Sequence, residues 1–91
     1  MIKNLISAIT NGAKNQKAII KEAIEKNVIE SFSEPYKNTK VIEFTNGCTF
    51  HCDEDSWYGY TPYAVETFFT NKKIDTVLEW LEFWEKDRDE T

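Results

Sequence analysis

Two cysteines, two prolines, three glycines and a single histidine leave this chain of 91 residues short of the groups that build stapled, metal-held or cysteine-rich folds. Cys48 and Cys52 are too few for a disulfide framework. On one extended strand their Cα atoms lie roughly 13 Å apart at about 3.3 Å per residue, beyond the span of a bridge. They read as reduced thiols, which points to the cytoplasm. No apolar run reaches the ~18 residues of a membrane span, and the first segment interleaves Lys3, Asn4, Ser7 and Asn11 with its apolar residues, unlike a secretory leader. Internal repeats, low-complexity tracts and linkers are also missing. The expectation is one soluble domain over residues 1–91.

Cationic charge is scarce only in one half. The net charge is -5. Residues 1–40 hold seven lysines against four glutamates, a balance of +3, whereas residues 41–91 hold four cationic residues against twelve acids, a balance of -8. Such an acidic half repels nucleic acid and favours basic partners. What the chain does have is apolar and aromatic mass: 41% hydrophobic and 14% aromatic residues suffice for a core despite 30% charged residues.

The stretch Lys40 to Asp53 organises the reading of the fold. Asn46-Gly47 separates two short runs rich in β-branched and aromatic residues, the pattern of a two-residue type I′ hairpin. With Thr45 and Cys48 closing the turn, Phe44 pairs with Thr49, Glu43 with Phe50, Ile42 with His51 and Val41 with Cys52. One face then carries Val41, Cys48, Phe50 and Cys52, the other Ile42, Phe44, Thr49 and His51.

Helical spacing brackets this hairpin. Ile2, Leu5, Ile6, Ile9, Ala13, Ile20, Ala23 and Ile24 fall within a sector about 100° wide, which predicts one long or kinked helix over 2–26 with Lys14, Lys17, Lys21 and Lys26 on a basic face. A break at Asn11-Gly12 is the alternative. Lys26-Asn27 is a stop signal, after which 28–33 reads as a strand or a continuation of helix, and Pro35 ends regular structure. Thr61-Pro62 opens a predicted helix over 62–70, and a last helix starts near Ile74. The fold class is therefore α+β: a small antiparallel sheet of two or three strands, hairpin 40–53, packed with a long N-terminal helix and two C-terminal helices. This order matches the double-stranded RNA-binding domain in topology alone, because no basic cluster opens the helix after the third strand.

Candidate chemistry is sparse. Cys48, His51 and Cys52 invite a metal or thiol reading, but on one strand His51 faces away from both cysteines and no second ligand pair follows. Asp53, Glu54 and Asp55 begin like a calcium loop without its glycine or its closing glutamate. Trp57, Tyr58, Tyr60 and Tyr63 suit base stacking, yet acids surround them. Aromatics beside carboxylates suit a grip on a basic protein surface instead. On the last helix Ile74, Val77, Leu78, Leu81 and Trp84 form a core stripe, flanked by Trp80 and Phe83 and by the acids Asp75, Glu79, Glu82 and Glu85.

These features predict a non-enzymatic protein-binding module, an inhibitor of the anti-defence or immunity type found in phages and mobile elements (anti-CRISPR-like). It would block a basic, nucleic-acid-binding effector or nuclease without touching nucleic acid or membrane, as a monomer or homodimer. The predicted contact residues are Asp53, Glu54, Asp55, Trp57, Tyr58, Tyr60, Glu79, Trp80, Glu82, Phe83 and Glu85; no cofactor or metal is called for. The alternatives are a small metal- or thiol-dependent protein on Cys48, His51 and Cys52, and nucleic-acid binding through the N-terminal lysine face.

Overall fold

The computed structural model describes residues 1–89, with side chains described as far as Trp84. Two helices, α1 (Ile2–Asn11) and α2 (Gln16–Glu25), precede five strands: β1 (Ile29–Tyr36), β2 (Thr39–Phe44), β3 (Thr49–Cys52), β4 (Trp57–Tyr60) and β5 (Glu66–Phe68). Helix α3 (Ile74–Asp89) follows. The strands form an antiparallel meander in the order β1-β2-β3-β4-β5. A five-stranded sheet with three helices replaces the two- or three-stranded sheet, single long N-terminal helix and two C-terminal helices that the sequence predicts.

Each departure has a local cause. Gly12 sits at φ 63°, and Ala13 donates its N–H to the Ala8 carbonyl at 2.9 Å, which closes α1 in a left-handed cap. The apolar stripe runs in phase across that cap because α1 and α2 each bury their own amphipathic face, not because one helix spans both. Asn27 (φ 58°) ends α2 in the same way, with Val28 donating to the Ala23 carbonyl. Pro35 does not stop β1. It lies on an edge strand whose pairing with β2 shifts register between Ser33 and Tyr36, where a missing N–H costs no ladder bond.

The predicted helix over 62–70 is also absent. Thr61 does nucleate a turn, accepting the N–H groups of Tyr63 and Val65 on its buried hydroxyl. Ala64 then takes a left-handed φ of 62°, Thr61 N–H closes on the Val65 carbonyl at 3.0 Å, and the chain leaves as β5. Phe69 is 5% exposed and Phe68 is 56% exposed, the alternation of a strand.

The central hairpin forms one residue out of the predicted register. Phe44 donates its N–H to the Cys48 carbonyl and accepts from Gly47, so three residues, Thr45 to Gly47, make the turn. Only Gly47 has positive φ (92°), and the Asn46 side chain accepts the Cys48 N–H at 2.9 Å, fixing a turn with a glycine bulge in place of type I′. Ile42 consequently pairs with Phe50 and Val41 with His51. The slip turns β2 over: Ile42 and Phe44 join Cys48, Phe50 and Cys52 on the buried face, and Val41 and Glu43 move to the other.

The helices cover that buried face. Leu5, Ile6 and Ile9 of α1, Ile20 and Ala23 of α2, and Val77 and Leu81 of α3 form one cluster with Ile29, Ile42, Phe44, Phe50 and Phe69. Lys40 ties the sheet to the α1–α2 corner, donating to the Ile9 carbonyl at 3.2 Å and to Gln16 Oε1 at 3.1 Å. Near the C-terminus of α1 that cation meets a carbonyl end of the helix dipole. Trp80 of α3 lies directly over Gly59, where an added Cβ would come within 2.6 Å of the indole and 3.0 Å of the Thr49 carbonyl. Replacing Gly59 by Ala is expected to destabilise the protein by about 1–3 kcal/mol. A lower urea midpoint at constant m-value would show it; a variant as stable as the parent would mean that Trp80 does not seat on β4.

Candidate protein-binding face

Because the helices take one side of the sheet, the other side stands open, and the strand registers arrange its side chains in two rows. The first runs Ser33, Val41, His51, Tyr58, Phe68; the second runs Ser31, Glu43, Thr49, Tyr60, Glu66. Four rings gather at their centre. His51 stacks on Tyr58 with centroids 4.8 Å apart and planes 10° from parallel, and its edge meets Tyr60 at 5.3 Å. Tyr58 in turn contacts Tyr60 at 6.1 Å and Phe68 at 5.7 Å. Such ring pairs contribute about 0.5–1.5 kcal/mol each beyond area burial, enough to hold a rigid platform on a surface.

Carboxylates surround the rings. Tyr60 donates its hydroxyl to Glu66, Ser31 donates to Glu43 at 3.4 Å, and Asp53 at the β3–β4 turn lies close enough to disfavour the tyrosinate of Tyr58. Neither row contains a lysine or arginine. The hydrogen bond to Glu66 pushes the Tyr60 hydroxyl above its usual range, while Tyr58 is raised first by desolvation and then by Asp53 and Glu66. Both phenols therefore stay protonated donors at neutral pH. Desolvation lowers the His51 pKa against an upward pull from Glu66, which favours the neutral ring. Its Nε2 is hydrogen-bonded to the Thr49 hydroxyl at 3.1 Å.

The acidic turn is built by its own side chain. Asp53 accepts from the N–H of Asp55 at 3.0 Å, the N–H of Ser56 at 2.6 Å and the Ser56 hydroxyl at 3.0 Å, and the bonds from Ser56 chiefly hold its carboxyl below the usual range. Glu54 and Asp55 project freely into solvent at the same end of the sheet.

The predicted contact residues thus divide between two layers. Asp53, Glu54, Asp55, Tyr58 and Tyr60 belong to the open face and its rim. Trp57 points the other way, edge-on to Phe50 at 5.8 Å, because it pairs with the inward Cys52. Trp80 is spent on Gly59 and on Phe69, 5.3 Å away. Glu79, Glu82 and Phe83 are exposed on α3, on the helix side of the sheet; the Glu85 side chain lies outside the described residues. His51, Phe68, Glu66, Glu43 and Thr49 were missing from the predicted surface. The signal for Phe68 and Glu66 was the alternation in Val65-Glu66-Thr67-Phe68-Phe69, outweighed by the Thr-Pro helix start.

Cys48 and Cys52 lie buried on the helix side and His51 on the open side, so the three groups do not converge. No cluster of three or more His, Cys, Asp or Glu side chains suited to a metal occurs among the described residues. Burial raises both thiols, that of Cys48 to about 11. On the N-terminal lysine face, Lys26 is engaged by Glu22 at 2.8 Å. Among the described residues no helix is long and apolar enough to cross a membrane. Comparison with protein-family models, curated proteins and solved structures finds no match for the chain.

Two outcomes follow from this geometry. Iodoacetamide at about pH 8 should leave both thiols of the native protein unmodified and alkylate both in urea, read by mass spectrometry; rapid native labelling would put a thiol at the surface. Asp53 has a folded-state pKa below its unfolded value, so its stabilisation is complete above that unfolded value and disappears as pH falls through the folded one. Through loss of the turn's hydrogen bonds, Asp53→Ala should cost about 0.5 kcal/mol at neutral pH, the low end for a solvent-screened site, with the difference from the parent closing below about pH 4. A gap that persists into strong acid would refute the carboxylate's role in the turn.

Proposed function

We propose that the open sheet face is a docking surface for a basic protein, and that the chain is a non-enzymatic inhibitor covering a partner's nucleic-acid-binding surface. The observation that carries this reading is the platform of His51, Tyr58, Tyr60 and Phe68, rimmed by Glu43, Glu66 and Asp53, with no cationic side chain in either row. Aromatic rings without nearby cations are poor hosts for phosphate and good ones for Lys and Arg, through cation–π contact and charge. Tyrosine supplies large contact area at little entropic cost, and surrounding carboxylates speed and orient the approach of a basic surface. A protein of this kind works where basic effectors handle nucleic acid, in the cytoplasm, and suits an anti-defence or immunity role in phages and mobile elements.

The test couples capture to competition. Tagged protein retrieves its partner from host lysate, and purified partner is then assayed for release of bound nucleic acid. Stoichiometric release is expected, with affinity falling steeply as salt rises. Asp53→Lys combined with Glu66→Lys should weaken binding at least tenfold, whereas Glu79→Lys combined with Glu82→Lys should leave it within twofold. Unchanged binding after charge reversal on the sheet would sink the proposal, and a loss confined to the α3 variant would move the docking surface to the helix side.

A further inference from the structure

The sheet has two edges, and they differ. β1 carries Pro35, which has no N–H, and two breaks of register, features that discourage pairing with another strand. β5 carries neither. On its inner side, Thr61 donates to the Val65 carbonyl at 3.0 Å and Phe69 to the Trp57 carbonyl at 2.9 Å. These bonds flank the β4–β5 ladder, and alternation along an antiparallel pair places the bond between them at Gly59 and Thr67. The N–H and C=O groups of Glu66 and Phe68 then point away from β4, along the outer edge. Their side chains end the two rows of the open face.

The geometry points to β5 as the line along which the partner engages: an extended basic segment that adds a sixth strand to the sheet. This rests on the docking surface proposed above and specifies how it is used. A strand laid beside β5 continues both rows, so every second residue stands next to Glu66 or Phe68. Lys or Arg at those positions meets the Glu66 carboxylate or the exposed Phe68 ring, with the Tyr58 and Tyr60 rings one strand further along the rows, which gives main-chain affinity and side-chain selectivity together. A second copy of this chain is the poorer occupant. It would bring another acidic face, with its own Glu66 and Glu43, alongside the first.

The probe is an acetylated, amidated hexapeptide, Lys-Val-Arg-Val-Lys-Val, with two counterparts N-methylated at the odd or at the even residues. They are titrated into ¹⁵N-labelled protein. The parent peptide is expected to slow amide exchange at Glu66 and Phe68 at least tenfold. One N-methylated counterpart should bind at least tenfold more weakly, and the other like the parent, because only alternate N–H groups face β5. Equal binding by all three peptides, with shifts at Tyr58, Tyr60 and His51 alone, would overturn strand pairing and leave the basic-partner reading standing. No binding by any of them would overturn both. Slow exchange at Glu66 and Phe68 that depends on protein concentration without peptide would give the edge to a second copy and overturn the proposal.

Discussion

Ile42 and Phe44 reach the helix layer only because Phe44 pairs with Cys48 across a three-residue turn. A strand can send only alternate side chains to one face, so the turn decides the fate of every residue on β2. Gly47 makes that turn possible. Its φ of 92° is costly for any residue with a Cβ, and a Cβ there would also come within 3.2 Å of the Pro62 ring. With the register set, Phe50 takes the centre of the core, edge-on to Trp57 and tilted against Phe69. Burying a side chain of this size against three helices is the kind of contact whose truncation costs about 3–5 kcal/mol. The same register sends Val41, Glu43, Thr49 and His51 outward, and the open face is its direct consequence.

Leaving that face uncovered has a chemical logic. Half-buried Val41 and exposed Phe68, with the partly buried rings at positions 51, 58 and 60, make an apolar patch on this side of the sheet. Glu43, Glu66 and Asp53 rim it with negative charge, which in the proposed role selects basic surfaces to lie against it. The chain separates its charges to the same effect. Its lysines concentrate in the first 40 residues, while the open face bears carboxylates. The proposed function thus uses the layer that the core does not need.

Much of this was legible in the residues, and what was not has identifiable causes. The hairpin at 40–53, the stop at Asn27 and the start of α3 at Ile74 follow from turn chemistry and helical spacing, and the structure has them. Asn-Gly misled on register, since the same dipeptide closes two-residue and three-residue turns; the difference lies in which residues carry positive φ. Gly12 was outweighed by an apolar phase that two amphipathic helices happen to share. Thr61-Pro62 announced a helix that Ala64 ends within one turn. The candidate site was half visible: Tyr58, Tyr60 and Asp53 share a surface, but Trp57 and Trp80 are drawn into packing by Phe50, Gly59 and Phe69. Sequence marks aromatics and acids equally on both sides of a sheet, and only the register sorts them.

The register is therefore the claim on which everything else rests, and proton NMR of the free protein tests it directly. In the hydrogen-bonding phase set by Phe44 and Cys48, the pairs Glu43 with Thr49 and Val41 with His51 lack mutual hydrogen bonds, which brings their Hα atoms close together. Strong Hα–Hα cross-peaks between Glu43 and Thr49 and between Val41 and His51 are the expected result. Cross-peaks joining Phe44 to Thr49 or Ile42 to His51 in their place would shift β2 by one residue, bury Glu43 against the helices and dismantle the open face.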